Sequence, residues 1–302
     1  MSLIDIFNME YYNIGFIKES IELIIDNKGN ASVFWMKHPY KDRFFADPFL
    51  FEEETGCYWI LAEEYTVYDR KGRIVLLKVD KNDYNLLRRE VLIDEKTHLS
   101  FPYFYNGKIY PENYRSGLYY SYQVRNKKLI KETVAPMACI DPVLYDKDGE
   151  RWLFTSFANG AMEKLYLYYK SGKDWVFHPN NPIVQDIRTA RMAGHIFEIR
   201  GVAYRPVQDC EKRYGNRVRI MEIIELSKTT YKEKEVAILD SVNYKPYNEG
   251  LHTLNVESDV ILIDGYMKKR KVMLRIMYAI KKRLFSRKIK REMKSVYEII
   301  KE

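Results

Sequence analysis

Cysteine is scarce: three residues in 302, Cys57, Cys139 and Cys210, too few and too scattered for a disulfide framework or a spaced zinc site. Histidine is nearly as rare, with five copies, and His195 has no His or Cys at ligand spacing, so neither a metal nor another cofactor is expected. No stretch approaches the ~18 uninterrupted apolar residues of a membrane-spanning helix. The first residues, Met1-Ser2-Leu3-Ile4-Asp5-Ile6-Phe7, lack the basic start and apolar run of a signal peptide. These absences together set the expectation of a cytoplasmic protein.

Aromatic side chains, by contrast, are plentiful: 26 Tyr, 14 Phe and 4 Trp within a hydrophobic share of 46%. That is enough to fill a large core of packed sheets, and it also suits surfaces on which sugars stack. For any single tyrosine, packing is the more common role.

The most informative stretch opens with Asp141-Pro142 and an apolar strand, Val143 to Tyr145. It turns through Asp146-Lys147-Asp148-Gly149 and returns as Arg151 to Thr155. This is a β-hairpin with an acid at its entrance, the glycine supplying the positive φ of a tight turn. The outline recurs as Ala46-Asp47-Pro48-Phe49-Leu50 returning through Cys57 to Ala62 with Glu63 and Glu64, and as Phe101-Pro102-Tyr103 returning through Lys108 to Pro111 with Glu112. A weaker copy runs from Gly194 through Arg200-Gly201 to Gln208 and Asp209, and the faintest spans Gly250-Leu251-His252 and Val260 to Ile263. A second hairpin follows each of the first four. Four strands per unit at a period of about 40 to 57 residues predicts an all-β, five-bladed β-propeller over residues 12–265. The lone strand at 12–17 is expected to pair near Val260 to Ile263 and close the ring, which removes exposed sheet edges.

Residues 267–302 differ in character, with fourteen Lys or Arg against three acids, so the whole-chain net charge of +8 resides there and the propeller is slightly acidic. Apolar residues at Met273, Ile276, Ile280, Leu284, Ile289, Met293, Val296 and Ile300 draw one stripe on a helix. This pattern predicts a basic amphipathic α-helix attracted to an anionic membrane surface, placing the protein peripherally on the inner face, or else a helix that packs or mediates oligomerisation. Nucleic acid is not an expected partner, because no groove-reading module accompanies the charge.

Residues that begin a blade's innermost strand or end its second strand lie near the mouth of the central channel. Asp47, Glu63, Glu112, Asp141 and Asp209 all occupy such points. Converging carboxylates raise one another's pKa and divide into acid and base, which is what glycoside chemistry requires. Each alone is also ordinary local structure, since Asp-Pro at a strand entrance is good turn chemistry. The fourth blade adds Arg188, Arg191, His195, Arg205, Gln208 and Tyr214, able to hold a phosphate, a uronate or sugar hydroxyls, with Arg205 and Asp209 alternatively forming a buried ion pair.

The segments around Asp47, His98-Leu99-Ser100-Phe101-Pro102, Glu112-Asn113, Asp141 with Trp152, Arg191-Met192-Ala193-Gly194, Tyr204 to Asp209, Tyr214-Gly215 and His252 resemble the N-terminal propeller of plant glucosamine inositolphosphorylceramide transferases. That domain is similar, more distantly, to five-bladed arabinanase and β-xylosidase-like glycosidases. The chain departs from their order of an Asp base, a pKa-tuning Asp and a Glu acid: Glu112 precedes Asp141, so only Asp47 carries over cleanly. The resemblance implies a carbohydrate-active propeller of surface glycan or glycolipid assembly, engaged in glycosyl transfer on a sugar or glycolipid substrate. Asp47, Glu112 and Asp141 are then the catalytic candidates, and Glu63, His98, Arg191, His195, Arg205, Gln208, Asp209, Tyr214 and His252 the substrate-binding ones. Two alternatives remain open: a non-catalytic sugar-binding scaffold for a partner glycosyltransferase, and a cytoplasmic glycoside hydrolase.

Overall fold

The computed structural model describes residues 8–67, 69–125 and 128–270 of the chain; the expected basic helix at 267–302 lies almost wholly outside the described residues. Among them, five antiparallel sheets follow one another along the chain as blades of a propeller. Blade 1 runs through Arg43–Glu54, Cys57–Thr66, Lys71–Asp80 and Leu86–Ile93, and blade 2 through Ser100–Tyr105, Lys108–Glu112, Tyr119–Arg125 and Lys128–Ala135. Blade 3 comprises Ile140–Lys147, Glu150–Ser156, Lys164–Ser171 and Asp174–Phe177, with Val184–Gln185 added beside its third strand. Blade 4 comprises Phe197–Ile199, Val202–Asp209, Arg217–Leu226 and Tyr231–Asp240.

Blade 5 is assembled from both ends of the propeller: Leu254–Val256 and Ile261–Arg270 pair outward with Asn8–Ile17 and then Phe34–Trp35. The expected ring closure is therefore present, made through strands from opposite ends of the sequence. The second strand of this blade runs on through Gly265 to Arg270, past the expected end of the propeller. No helix among the described residues is long and apolar enough to cross a membrane.

Turn chemistry explains why the first hairpins form where they do. Asn106-Gly107, Asp148-Gly149 and Arg200-Gly201 each place two consecutive residues at positive φ, between 47° and 80°, the conformation that matches the twist of paired strands in a two-residue hairpin. Apolar residues alternate into clusters between blades. One, with Phe45, Ile60, Val75, Ile14, Phe16 and Leu262, joins blades 1 and 5; another, with Ile220, Leu239, Leu254 and Ile263, joins blades 4 and 5. These packed junctions fix the inner strands relative to one another, and so set the geometry of the channel.

Candidate functional site

Three of the innermost strands carry the same irregularity. In Ala46-Asp47-Pro48, Ser100-Phe101-Pro102 and Ile140-Asp141-Pro142, the residue before proline sits at φ of 51°, 44° and 43°. At each, the ladder slips: between Ala46 and Phe49, Ser100 and Tyr103, and Ile140 and Val143. Proline has no N–H to pair and the residue before it is held left-handed, so each bulge turns one backbone N–H out of the sheet. Such backbone costs on the order of 1–2 kcal/mol per residue and persists only where its surroundings hold it.

What holds it is a carboxylate from the preceding blade. The Asp47 N–H donates to Asp264 Oδ2 of blade 5 at 3.0 Å, the Phe101 N–H to Asp47 Oδ2 of blade 1 at 2.9 Å, and the Asp141 N–H to Glu112 Oε2 of blade 2 at 3.2 Å. Consecutive blades are thus linked around the axis by acids carried on their first and second strands. Asp264 also accepts the N–H groups of His252 and Thr253, each at 3.1 Å, and the Thr253 hydroxyl lies 2.9 Å from Asp47 Oδ1 and 3.0 Å from Asp264 Oδ2.

Two cations sit among these acids. Arg191 Nε donates to Asp141 Oδ2 at 2.7 Å, beside Gln208 Nε2 at 3.1 Å from the same oxygen. His252 places Nδ1 2.7 Å from Asp264 and Nε2 3.4 Å from Asp47. The Tyr214 ring lies between them, its centroid 5.0 Å from the Arg191 guanidinium and 5.4 Å, edge-on, from the His252 ring. Glu63 completes the group on the blade 1 side, 3.5 Å from His98 Nε2.

Five carboxylates against two cations cannot all ionise together in a buried space. Burial, and then the neighbouring Asp47, raises the Glu63 carboxyl well above its ordinary range; burial and then Asp141 do the same to Glu112. Asp47 is also raised, by burial above all, with His252 opposing. Burial alone would raise Asp264 and lower His252. Their mutual attraction outweighs it, so Asp264 falls below the usual carboxylate value and His252 rises to about 9. The group therefore sets acids whose protonated form is favoured beside an imidazolium–carboxylate pair.

Ligating atoms of Asp47, His252 and Asp264 lie within 4.8 Å of one another, the spacing of a metal site. Both ring nitrogens of His252 already face carboxylates, so an ion there would have to displace a ring proton.

His98 is held differently. The Gly72 N–H donates to its Nδ1 at 2.9 Å, which leaves the ring proton on Nε2, facing Glu63. Burial, and then Arg115, lower its pKa to about 4, so this ring is neutral. Only glycine fits at position 72, where an added Cβ would come within 2.4 Å of the Leu99 carbonyl and 2.3 Å of Glu63 Oε1.

Of the residues expected from sequence, Asp47, Glu63, His98, Glu112, Asp141, Arg191, Gln208, Tyr214 and His252 are brought together here. Arg205, Asp209 and His195 are not. Arg205 is fully buried in an ion pair with Glu233 at 2.6 Å, and its remaining N–H groups donate to the carbonyls of Thr189 and Ala190. Asp209 pairs with Arg217 and Arg219 at 2.7 and 2.6 Å, so each of the two is in a buried ion pair, but with partners other than the other. The reason is strand alternation: Gln208 faces the channel, so Asp209 must face the opposite way. Arg188 is likewise engaged by Asp186. His195 binds the Val256 carbonyl through Nε2 at 2.9 Å and donates its backbone N–H to Asn255, at the junction of blades 4 and 5.

Asp264 was not among the expected residues, although a signal for it existed. It lies on the second strand of blade 5 as Glu63 and Glu112 lie on those of blades 1 and 2, one residue beyond the apolar run that marked the faint fifth hairpin.

The family described as glucosamine inositolphosphorylceramide transferase 1, N-terminal, matches residues 29–258. A rice (Oryza sativa subsp. japonica) glucosamine inositolphosphorylceramide transferase 1 is 30% identical over 242 residues, covering 72% of this chain and 32% of the relative. The Arabidopsis thaliana protein of the same name is 32% identical over 208 residues, covering 64% and 27%. The chain thus spans about a third of the length of these relatives. Among solved structures, a family-43 β-xylosidase/α-arabinofuranosidase from a compost microbial metagenome, in complex with xylotriose, superposes with a TM-score of 0.47 at 11% identity, over 75% of this chain and 91% of that one. With residues 29–258 matched, the chain belongs to the family of the N-terminal domain of glucosamine inositolphosphorylceramide transferase 1.

Proposed function

We propose that this propeller is a carbohydrate-active domain of surface glycan or glycolipid assembly, and that its channel takes part in glycosyl transfer to a lipid-linked or phosphorylated sugar. The observation that carries the reading is the convergence of five buried acids, with Arg191 and His252 among them, around one axis; burial and mutual repulsion favour the protonated forms of Glu63 and Glu112, whereas His252 favours the ionised form of Asp264. In this reading Glu112 supplies a proton to a leaving oxygen, Asp47 receives one from the acceptor, and Asp141 orients the substrate through Arg191 and Gln208. The names of the relatives, transferases of a phosphoinositol lipid, support the glycolipid side. The concentration of basic residues at 267–302 supports a peripheral position on an anionic inner membrane face in the cytoplasm.

The test is incubation of the full chain with sugar nucleotides and lipid acceptors, together with complementation of glycan assembly. Turnover that collapses in Asp47→Asn and Glu112→Gln is the expected result; turnover equal to wild type in both sinks the catalytic reading. Co-sedimentation with anionic vesicles at low salt, lost on deletion of residues 271–302, which leaves the blade 5 strand Ile261–Arg270 whole, is the expected membrane result.

One observation favours a second reading, a sugar-binding scaffold for a separate transferase. The same carboxylates cap the N–H groups of strained bulges, a role that needs no chemistry. Full complementation by the Asp47→Asn and Glu112→Gln variants, with sugar binding retained, selects it.

A further inference from the structure

The two rims of the propeller differ in charge. In each blade the innermost strand leaves the channel mouth and the second returns to it, so connections such as 36–42, 67–70, 94–99, 113–118 and 210–216 lie on the mouth side. Hairpin turns such as 55–56, 148–149, 227–230 and 257–260 lie on the opposite side. Among the described residues, exposed bases outnumber exposed acids on the mouth side, where Lys41, Arg70, Lys96, Arg115, Lys212 and Arg213 stand. Exposed acids outnumber bases on and beside the opposite turns, with Glu53, Glu54, Asp83, Asp148, Glu198 and Asp259 there. The channel acids do not cancel this contrast, because they are buried and partly offset by Arg191 and His252.

Strand direction supplies a second, independent observation. The strand Ile261–Arg270 starts from the turn at 257–260 on the opposite side, passes Asp264 in the channel, bridges Tyr266 to Gly250, and runs on to Lys268-Lys269-Arg270. Its neighbour Asn8–Ile17 is antiparallel to it, since the Tyr12 ring lies 5.0 Å from Tyr266 while Gly15 lies beside Ile263. The chain therefore both enters and leaves blade 5 on the mouth side. Residues 271–302, which hold the densest run of Lys and Arg in the sequence, follow from that exit.

We infer that the propeller meets an anionic lipid surface with its channel mouth facing the membrane, held by the basic rim together with the residues that follow Arg270. The pull of such a surface fades within a Debye length, about 8–10 Å at physiological salt. Blade 1 strands such as Lys71–Asp80, ten residues long, separate the two rims by roughly 33 Å, so only one rim can lie within reach. Mouth-down, the bases fall inside that layer and the acids of the opposite turns stay outside it. Inverted, the acids would meet the like-charged surface, and the basic exit strand would point away from it. The channel then opens onto the membrane plane, and a ligand held there reaches the acids without leaving the surface. This inference rests on the membrane part of the reading above and specifies which face meets the lipid.

Fluorescence quenching on vesicles of phosphatidylcholine and phosphatidylserine with nitroxide-labelled headgroups tests it, using the full chain. Exposed positions receive single labelled cysteines in a Cys57→Ser background, Cys139 and Cys210 being buried: Ala158→Cys and Val242→Cys on the mouth side, Thr55→Cys and Thr229→Cys on the opposite side. The mouth-side labels should be quenched severalfold more strongly than the opposite ones. In parallel, the double variant Lys212→Glu with Arg213→Glu should weaken vesicle partitioning roughly tenfold or more, since both side chains lie within the surface layer. Glu53→Lys with Glu54→Lys should change it by less than about twofold, the pair lying beyond the screening distance. Equal quenching on the two sides, stronger quenching on the opposite side, or a Glu53/Glu54 effect as large as that of Lys212/Arg213 overturns the inference while leaving membrane attachment standing. A full chain that ignores these vesicles overturns both, and the complementation assay then decides the carbohydrate reading separately.

Discussion

Glu63 and Glu64 are consecutive residues of one strand, both buried, and they occupy opposite electrostatic worlds. Glu63 faces the channel, where its nearest charges are other acids, and its pKa rises. Glu64 faces the blade, fully buried among Arg43, Arg73 and Arg89; burial would raise its pKa, but Arg89 and Arg73 outweigh this and lower it. Gln208 and Asp209 repeat the arrangement in blade 4, the amide in the channel and the acid against Arg217 and Arg219. A strand's alternation thus lets one sequence pair serve two ends. The outward acid is a structural ion hub; the inward acid remains available for protons or ligands.

The sharpest way to break the comparison is to remove each member of the pair. Glu64→Ala strands three guanidinium groups around a buried hole and should lower unfolding stability by roughly 3–5 kcal/mol. Glu63→Gln substitutes a neutral amide for a carboxyl whose protonated form the channel favours, and should change stability by less than ~1 kcal/mol. Urea denaturation of both variants measures the contrast. Equal losses would show that Glu63 is as dependent on counter-charges as Glu64.

Proton linkage sharpens it next. His252 has its folded-state pKa raised to about 9, so its contribution is present in full below the ordinary histidine value and is lost as pH rises through 9. Glu63 and Glu112 are raised as well, so they too erode stability as pH rises above the ordinary carboxylate range. Glu64 and Asp209 are lowered; their contributions are present above the ordinary carboxylate value and fade as pH falls. The raised channel groups therefore govern the alkaline limb of a stability profile, while the blade hubs, joined by Asp264 of the channel, govern the acid limb. His252→Asn should flatten the decline between about pH 7 and 9 by up to ~3 kcal/mol and remove the Asp264 share of the acid limb, while leaving the share of Glu64 and Asp209 in place. Denaturation midpoints collected across that range check it, and an unchanged alkaline limb contradicts the assignment.

How much of this was legible in the sequence follows the same division. Hairpin glycines, Asp-Pro entrances and acids at strand ends announced the blades and most of the channel, because turn chemistry and period-2 alternation are local. The partners of Arg205 and Asp209 were not legible: they lie on Glu233, Arg217 and Arg219, on neighbouring strands whose register only the folded sheet fixes. His195 was read with the channel on proximity in sequence, whereas the close approach of Gly194 to the Leu254 carbonyl turns it toward blade 5. Asp264 was missed because the faint fifth hairpin was followed only as far as its apolar residues.

A moderate effect should come from Gly72→Ala. The new Cβ meets backbone at Leu99 as well as the Glu63 carboxyl, so relief by a side-chain rotation alone is unavailable, and a loss of about 1–3 kcal/mol is expected. The Glu63–His98 contact should be displaced at the same time, visible as a shift of the His98 ring resonances.

The smallest effect concerns the two histidines of the channel, which extend the contrast to bases. His252 lies between two carboxylates that attract a proton; His98 faces a single acid that is itself raised, and receives a backbone N–H on Nδ1. Geometry alone then fixes His98 as the neutral tautomer protonated on Nε2, with burial keeping its pKa near 4. Nitrogen-15 spectra of the imidazole rings should show an unprotonated Nδ1 on His98 that does not titrate between about pH 5 and 8, while His252 carries protons on both nitrogens across that interval. His98→Gln, which keeps a donor toward Glu63 but loses the acceptor for Gly72, should cost no more than about 1 kcal/mol. If His98 instead titrates near the ordinary histidine value, the facing Glu63 carries charge that offsets the burial, and the reading that the channel favours the protonated form of Glu63 fails.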